Sequence, residues 1–178
     1  MKSDDRDIVR RFENVRLVVL DIDGVLTDGH IIYDDFGDEL KFFDISDGMG
    51  ISLLRKAGIE TVMLTARKCK ANRRRAKELN VGALYQNASD KLGVFNRVLK
   101  ARRLSPQFVC AVGDDLIDIP VMSRAGLAVA VQNARAEVKQ IAHYVTTRTG
   151  GRGAVREIAD KILKLQGKWE RATVEYFR

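Results

Sequence analysis

Two aspartates, Asp21 and Asp23, follow the apolar run "VRLVVL" and stand just before Gly24. Residues two apart in an extended chain point the same way. Both carboxylates therefore face one spot, while Ile22 points into the core. Buried like charges are costly unless something neutralises or uses them. A second acid pair, Asp114 and Asp115, follows another apolar run, "FVCAVG". Asp21, Asp23 and Asp114 brought together would form an all-oxygen site for a hard divalent cation. Mg²⁺ suits it, because that ion takes carboxylates, waters and a substrate phosphate. The chemistry this permits is attack by a carboxylate on a phosphate. Two like unit charges ~4 Å apart repel by roughly 4 kcal/mol at an effective dielectric near 20, and a divalent ion between them reverses the sign. Lys91, in "NASDKLGVF", would add positive charge. Thr65, after "VML", offers a hydroxyl and an N–H at a helix start, where phosphate oxygens bind.

The elements that must position these groups alternate along the chain. Apolar strands are predicted at "VRLVVLD", "IETVMLT", "ALYQ", "QFVCAVG", "LAVAV" and "HYVTT". Helical patterns separate them, at "DGMGISLLRKAG", "KCKANRRRAKELN", "SDKLGVFNRVLKARR" with Ser89 as a candidate cap, "LIDIPVMSRAG", "ARAEVKQIA" and "GAVREIADKILKLQGKW". Such spacing predicts βαβ units: an α/β, Rossmann-like parallel sheet flanked by helices. One segment breaks the alternation. "HIIYDDFGDELKFF" reads as a β-hairpin turning at Gly37, inserted after the first strand at about 28–45, with no large cap domain. The hairpin directly follows the acidic strand end and so stands over whatever site lies there. In such sheets ligands bind beyond the carboxyl ends of the strands. Asp21 and Asp23, Thr65, Lys91, Asp114 and Asp115, and the stretch Arg148 to Gly153 all fall at that edge. The whole of 1–178 reads as a single domain with a C-terminal tail at about 170–178.

Composition narrows the partners. The chain has 178 residues, 46% hydrophobic and 31% charged, a globular mix rather than a disordered one. No apolar run approaches the ~20 residues of a membrane span, and "MKSDDRDIVRRFENV" lacks the apolar centre of a signal peptide. A cytoplasmic protein without membrane partners is expected. Cys69 and Cys110 do not make a disulfide framework or a zinc spacing, and read as a surface thiol and a core thiol. The net charge of +7 suggests anionic partners. The basic run "RKCKANRRRAK" has no interleaved aromatics for stacking on bases, so small phosphorylated acids are favoured over nucleic acid. His30 and His143 are not obvious ligands. The glycines form no phosphate-binding Walker loop, and "DGMGISL" lacks the third glycine of a dinucleotide fingerprint.

Taken in order, "DIDGVLTDG", "MLTAR", "SDKLGVF" and "GDDLIDIPVM" resemble the motifs of the haloacid-dehalogenase-like phosphatases. With "DISDGMGI" and "YVTTRTGGRGAVREI" the likeness narrows to the 3-deoxy-D-manno-octulosonate 8-phosphate phosphatases, and it runs from about Leu17 to Trp169. The resemblance implies that Asp21 is the nucleophile and forms an aspartyl-phosphate. Asp23 would protonate the leaving sugar oxygen and then deprotonate the attacking water. Asp21, the backbone carbonyl of Asp23, and Asp114 would hold Mg²⁺. Thr65 and Lys91 would bind the transferring phosphoryl group. Asp115 and Asp118 would support the metal ligands and Lys91.

The same likeness implies a substrate of lipopolysaccharide precursor synthesis, a phosphorylated sugar acid with a carboxylate far from its phosphate. Arg67 and Arg75 match the substrate contacts, and the arginine fork suits a carboxylate. Eight residues apart, they would share one helix face. The stretch Asp44, Ile45, Ser46, Asp47 and Gly48 matches another substrate-binding segment. A homotetramer is implied, a neighbouring subunit helping to close each uncapped site, and the tail "ERATVEYFR" could reach a neighbour's pocket. Two departures stand out: Ser52, where relatives often carry a basic residue, and Ala66 in "TAR" where "TGR" is commoner. A nine-carbon ketodeoxynonulosonate or acylneuraminate 9-phosphate is the alternative substrate. Relatives acting on the nonulosonate tend to have an acid where Arg67 stands, so Arg67 tilts the reading to eight carbons. A receiver-like signalling module also uses acids, a Thr and a Lys at strand ends, but Thr65 stands where its acceptor Asp would be. A phosphatase degraded to a scaffold is disfavoured because every acid needed for turnover is present.

Overall fold

A computed structural model describes residues 3–177. Six strands form one parallel sheet: β1 (Leu17–Leu20), β4 (Glu60–Leu64), β5 (Ala83–Tyr85), β6 (Val109–Gly113), β7 (Leu127–Ala130) and β8 (Tyr144–Val145). Their order is β5-β4-β1-β6-β7-β8, every pair parallel. β1, β6 and β7 are buried at every residue, as strands covered on both faces must be. A separate two-stranded hairpin, β2 (Ile32–Tyr33) and β3 (Glu39–Leu40), pairs antiparallel between β1 and the next helix. No segment there is large enough for a cap domain.

The covering helices are α2 (Ile45–Lys56), α3 (Lys70–Glu78), α4 (Lys91–Arg102), α5 (Ile119–Arg124), α6 (Ala136–Ile141) and α7 (Ala154–Leu165). α2 and α7 pack on each other, and Gly50 lies against the α7 backbone at Arg156. The strand order reverses between β1 and β6. Connections leave those two neighbours in opposite directions, and a crevice opens beyond their carboxyl ends. That crevice receives Asp21 from β1 and Asp114 from β6.

The structure amends several expectations. The opening residues, read above only as lacking a signal-peptide centre, include a helix, α1 (Ser3–Glu13), that buries Phe12 completely. Asp90 rather than Ser89 caps α4, since it directly precedes the first helical residue and its Oδ1 accepts from Gly93 N at 2.8 Å. The long terminal helix stops at Leu165, before Gly167 in a left-handed conformation (φ 63°). The tail continues as α8 (Trp169–Thr173) and a 3₁₀ turn, Val174–Phe177, while Arg178 lies outside the described residues. Glu175 and Tyr176 bond to Lys56 of the chain's own α2.

Candidate active site

The site begins where β1 ends. Asp21 N still donates to Val112 O at 3.1 Å, so its carboxylate is fixed at the lip of the sheet. Asp21 is only 8% exposed. Lys91, the first residue of α4, reaches under the strand ends and donates 2.7 Å hydrogen bonds to Asp21 Oδ1 and Asp118 Oδ1. Asp118 Oδ2 accepts from the backbone N–H of Asp114 at 3.0 Å and of Asp115 at 3.4 Å. Asp118 thus holds both the lysine and the loop after β6, while Asp115 turns its Oδ1 to Leu116 N at 2.7 Å. Gly24 (φ 94°) brings the backbone against Asp114, and a Cβ there would collide with the Asp114 carboxylate.

Oxygens of Asp21, Asp114 and Asp118 all lie within 4.8 Å of one another. Three carboxylates face one ammonium, an excess of two negative charges. Burial, together with the charge of Asp118, pushes the Asp21 carboxyl up to about 8, although Lys91 pulls the other way. Burial also lifts Asp114 to about 7, helped by Asp118 and Asp115. Asp114 Oδ1 is buried with no hydrogen-bond partner among the described residues. An unpartnered oxygen, an all-oxygen donor set and two surplus negative charges fit a hard divalent cation. Asp118 belongs to this cluster geometrically, but both its oxygens are already engaged.

The other half of the site comes from the hairpin and from the end of β4. Thr65 Oγ1 donates to Asp23 Oδ2 at 3.1 Å and accepts from Arg67 N at 3.1 Å. The second oxygen of Asp23 is bonded by Lys41 Nζ. Lys41 and its neighbour Glu39 were not singled out in the sequence. Alternation along "ELKFF" was the available signal. It puts Glu39 and Lys41 on one side of the chain and Leu40 on the other, although β3 itself ends at Leu40. Glu39 Oε2 accepts from Arg67 Nη2 at 3.1 Å, and Glu39 Oε1 lies 3.2 Å from Lys41 Nζ.

The remaining substrate candidates divide. α3 begins only at Lys70, so Arg67 precedes the helix and the helix face expected to be shared with Arg75 does not exist. Cys69, expected at the surface, is buried and caps α3 through Sγ, which accepts from Ala71 N at 3.3 Å. Arg75 Nη2 donates to Asp44 O at 3.1 Å, in room left by the missing side chain of Gly48. Asp44 caps α2, its Oδ1 accepting from Ser46 N at 2.6 Å and from Ser46 Oγ. Asp47 crosses to α7, accepting from Arg156 N at 2.8 Å and Gly153 N at 3.3 Å. Ile45 is 86% exposed. Arg152 is a solvated side chain 3.8 Å from Asp28, and His143 Nδ1 serves the sheet edge by accepting from Ala128 N at 2.8 Å. A cavity of about 940 Å³ lies between α1, β8 and α7; it borders this region at Asp44, Ser46, Arg152, Gly153 and Arg156 and is not lined by Asp21 or Asp114. The acid cluster, where charged groups converge, is the better candidate for chemistry.

Known proteins resemble this chain closely. Residues 80–158 match the haloacid dehalogenase-like hydrolase family. A 3-deoxy-D-manno-octulosonate 8-phosphate phosphatase from Yersinia pestis is 45% identical over 167 residues, covering 94% of this chain and 89% of that protein. A HAD superfamily, subfamily III A hydrolase from Legionella pneumophila superimposes with a TM-score of 0.95 at 37% identity, covering 98% and 96% of the two chains. A 3-deoxy-D-manno-octulosonate 8-phosphate phosphatase from Moraxella catarrhalis, solved with magnesium, phosphate and a KDO molecule, gives 0.93 at 35% identity, covering 97% and 99%. An aspartate pair at the switch point of a parallel sheet, a lysine beneath it and likeness over nearly the whole length agree: the chain is a phosphomonoesterase that belongs to the 3-deoxy-D-manno-octulosonate 8-phosphate phosphatase family of haloacid-dehalogenase-like hydrolases.

Proposed function

We propose that this enzyme hydrolyses 3-deoxy-D-manno-octulosonate 8-phosphate to the free sugar acid and phosphate, in lipopolysaccharide precursor synthesis, with magnesium as cofactor and Asp21 as nucleophile. The observation that carries the reading is the Lys91 bridge between Asp21 and Asp118 beside the unpartnered Asp114 oxygen. Asp21, the backbone carbonyl of Asp23, and Asp114 would hold magnesium, which supplies the positive charge that lets a carboxylate approach a phosphate dianion. An Asp21 oxygen attacks phosphorus, the bond to the sugar oxygen breaks, and Asp23 gives that oxygen its proton. Water then attacks the aspartyl-phosphate, Asp23 takes the water's proton, and Asp21 is released with inorganic phosphate. Thr65 and Lys91 hold the phosphoryl oxygens as charge builds. Thr65 already touches Asp23, which keeps phosphoryl binding and proton transfer in register.

Arg67 and Arg75 are assigned to the substrate carboxylate, with the Asp44–Gly48 turn shaping that end of the site. Residues 1–178 act as one domain in the cytoplasm, assembled as a homotetramer through the hairpin. Phosphate release measured side by side from octulosonate 8-phosphate, nonulosonate 9-phosphate and hexose phosphates, with magnesium and with EDTA, tests the substrate. The eight-carbon acid should give the highest kcat/KM and EDTA should abolish turnover. Preference for the nine-carbon acid or a neutral hexose phosphate would overturn the substrate assignment. Turnover surviving EDTA would overturn the metal.

A further inference from the structure

The pair formed by Glu39 and Arg67 is mismatched in a way that bears on product release. Arg67 offers a planar fork suited to two parallel bonds with one carboxylate. Glu39 meets it with a single contact, Nη2 to Oε2 at 3.1 Å. Arg67 Nε is buried with no acceptor, and Glu39 Oε1 has no well-angled hydrogen bond, among the described residues. Lys41 Nζ stands 3.2 Å from that Oε1, but its short bond goes to Asp23. Glu39 is itself largely covered, its side chain 11% exposed, whereas Arg67 is 37% exposed. A carboxylate that is closed in, on the chain's own hairpin, thus occupies a partly open guanidinium and leaves one of its donors unused. A free carboxylate able to take both Nε and Nη would fit better.

We infer that Glu39 is a specificity-tuning residue of this site, an internal carboxylate that occupies Arg67 in the resting enzyme and competes with the carboxylate of a bound sugar acid. The inference rests on the assignment of Arg67 to the substrate carboxylate. Its consequence falls most heavily on the product. Once phosphate has left, the sugar acid keeps its carboxylate contact, and return of Glu39 to Arg67 displaces it. Neutral ligands, and inorganic phosphate bound at Thr65 and Lys91, do not meet this competition.

The test is product inhibition by the free sugar acid, measured for the magnesium-loaded full-length enzyme with an aryl phosphate as reporter. In Glu39→Gln the inhibition constant of 3-deoxy-D-manno-octulosonate should fall roughly fivefold, the order expected for removing one competing, partly exposed ion pair. The inhibition constant of inorganic phosphate should stay within about twofold in the same variant, which also shows that the site is folded. Glu39→Asp, which keeps the charge, should move the sugar-acid constant less than Glu39→Gln does. An unchanged or raised sugar-acid constant in Glu39→Gln would overturn the inference, because it would make Glu39 a support for Arg67 rather than its competitor. Arg67→Gln separates this from failure of the underlying assignment. If Arg67→Gln leaves sugar-acid inhibition untouched, the carboxylate assignment has failed. If Arg67→Gln weakens inhibition while Glu39→Gln does not strengthen it, only the competition has failed.

Discussion

Lys91 is the hinge of the chemistry at the scale of single residues. It is 5% exposed, and it stands between two carboxylates that would otherwise be buried like charges. Burial opposes its charge, but Asp21 and Asp118 outweigh burial and its pKa is raised. Removing the ammonium strands both acids. Lys91→Met should destabilise the protein by about 3–5 kcal/mol, the cost of breaking a buried pair from one side. Asp21→Asn acts in the opposite sense. It deletes a charge that burial and Asp118 disfavour, so in EDTA its Tm should equal or exceed that of the parent. Its phosphate release should nonetheless fall by about four orders of magnitude or more, since a nucleophile has no substitute. Thermal melts in EDTA beside phosphate-release assays in magnesium check both variants. An Asp21→Asn protein that melts well below the parent, or that still turns over, contradicts the assignment of that residue as a metal-supported nucleophile rather than a structural acid.

Between elements, the joint that decides the shape of the proposed substrate end is α2 against α7. Asp47 sits in the first turn of α2 and gives both carboxylate oxygens to the start of α7, at Arg156 N and Gly153 N. Burial, with the charge of Asp44 adding to it, pushes its carboxyl up to about 6 against an ordinary 3.8, although the α7 backbone pulls it down. The folded state therefore holds the Asp47 proton more tightly than the unfolded chain. This contribution to stability is full below pH ~4 and is lost as pH rises to ~6. Asp47→Asn stays neutral and escapes that loss. The stability of the variant relative to the parent should rise by about 2 kcal/mol from pH 4 to pH 7, read from urea melts across that range. A difference independent of pH contradicts it. Asp47 also marks how far residue patterns reach. Its place in a substrate-binding stretch was legible only through the family resemblance of "DISDGMGI", because no strand end or spacing points to it. Its role as a bridge was not, since α7 lies more than a hundred positions away in the chain. The same divide holds elsewhere. Asp21, Asp23 and Asp114 could be grouped from strand ends alone. Glu39 and Lys41 could be paired with each other by alternation but not with the site, because nothing in so short a hairpin says which face meets it. α1 had a usable signal in Ile8, Phe12 and Val15 at helical spacing, hidden among charges.

At the scale of the molecule, the hairpin and the residues that follow it face two ways. Glu39 and Lys41 turn inward to Arg67 and Asp23, while the outward side of the hairpin is apolar and bare. Phe36 at the turn is 94% exposed and Phe42 71%, with Leu40 and its cross-strand partner Ile32 exposed by 48% and 37%. A contiguous apolar face of this kind marks an interaction surface, and the proposed homotetramer would bury it. Assembly would then press the hairpin down from outside onto the same strand that reaches the site from inside. The two functions should fail together. Phe42→Asp places a charge on the outer face without touching an inward residue, so it should reduce the particle mass by light scattering. The freed hairpin should hold Lys41 less firmly on Asp23. Turnover of alkyl phosphates, whose poor leaving groups need a proton from Asp23, should therefore fall further than turnover of aryl phosphates, which leave without one. Equal losses on both substrate classes would show that assembly supports the fold alone. A parent protein that is already monomeric by scattering, with full activity, would remove the outer face of the hairpin from the catalytic account altogether.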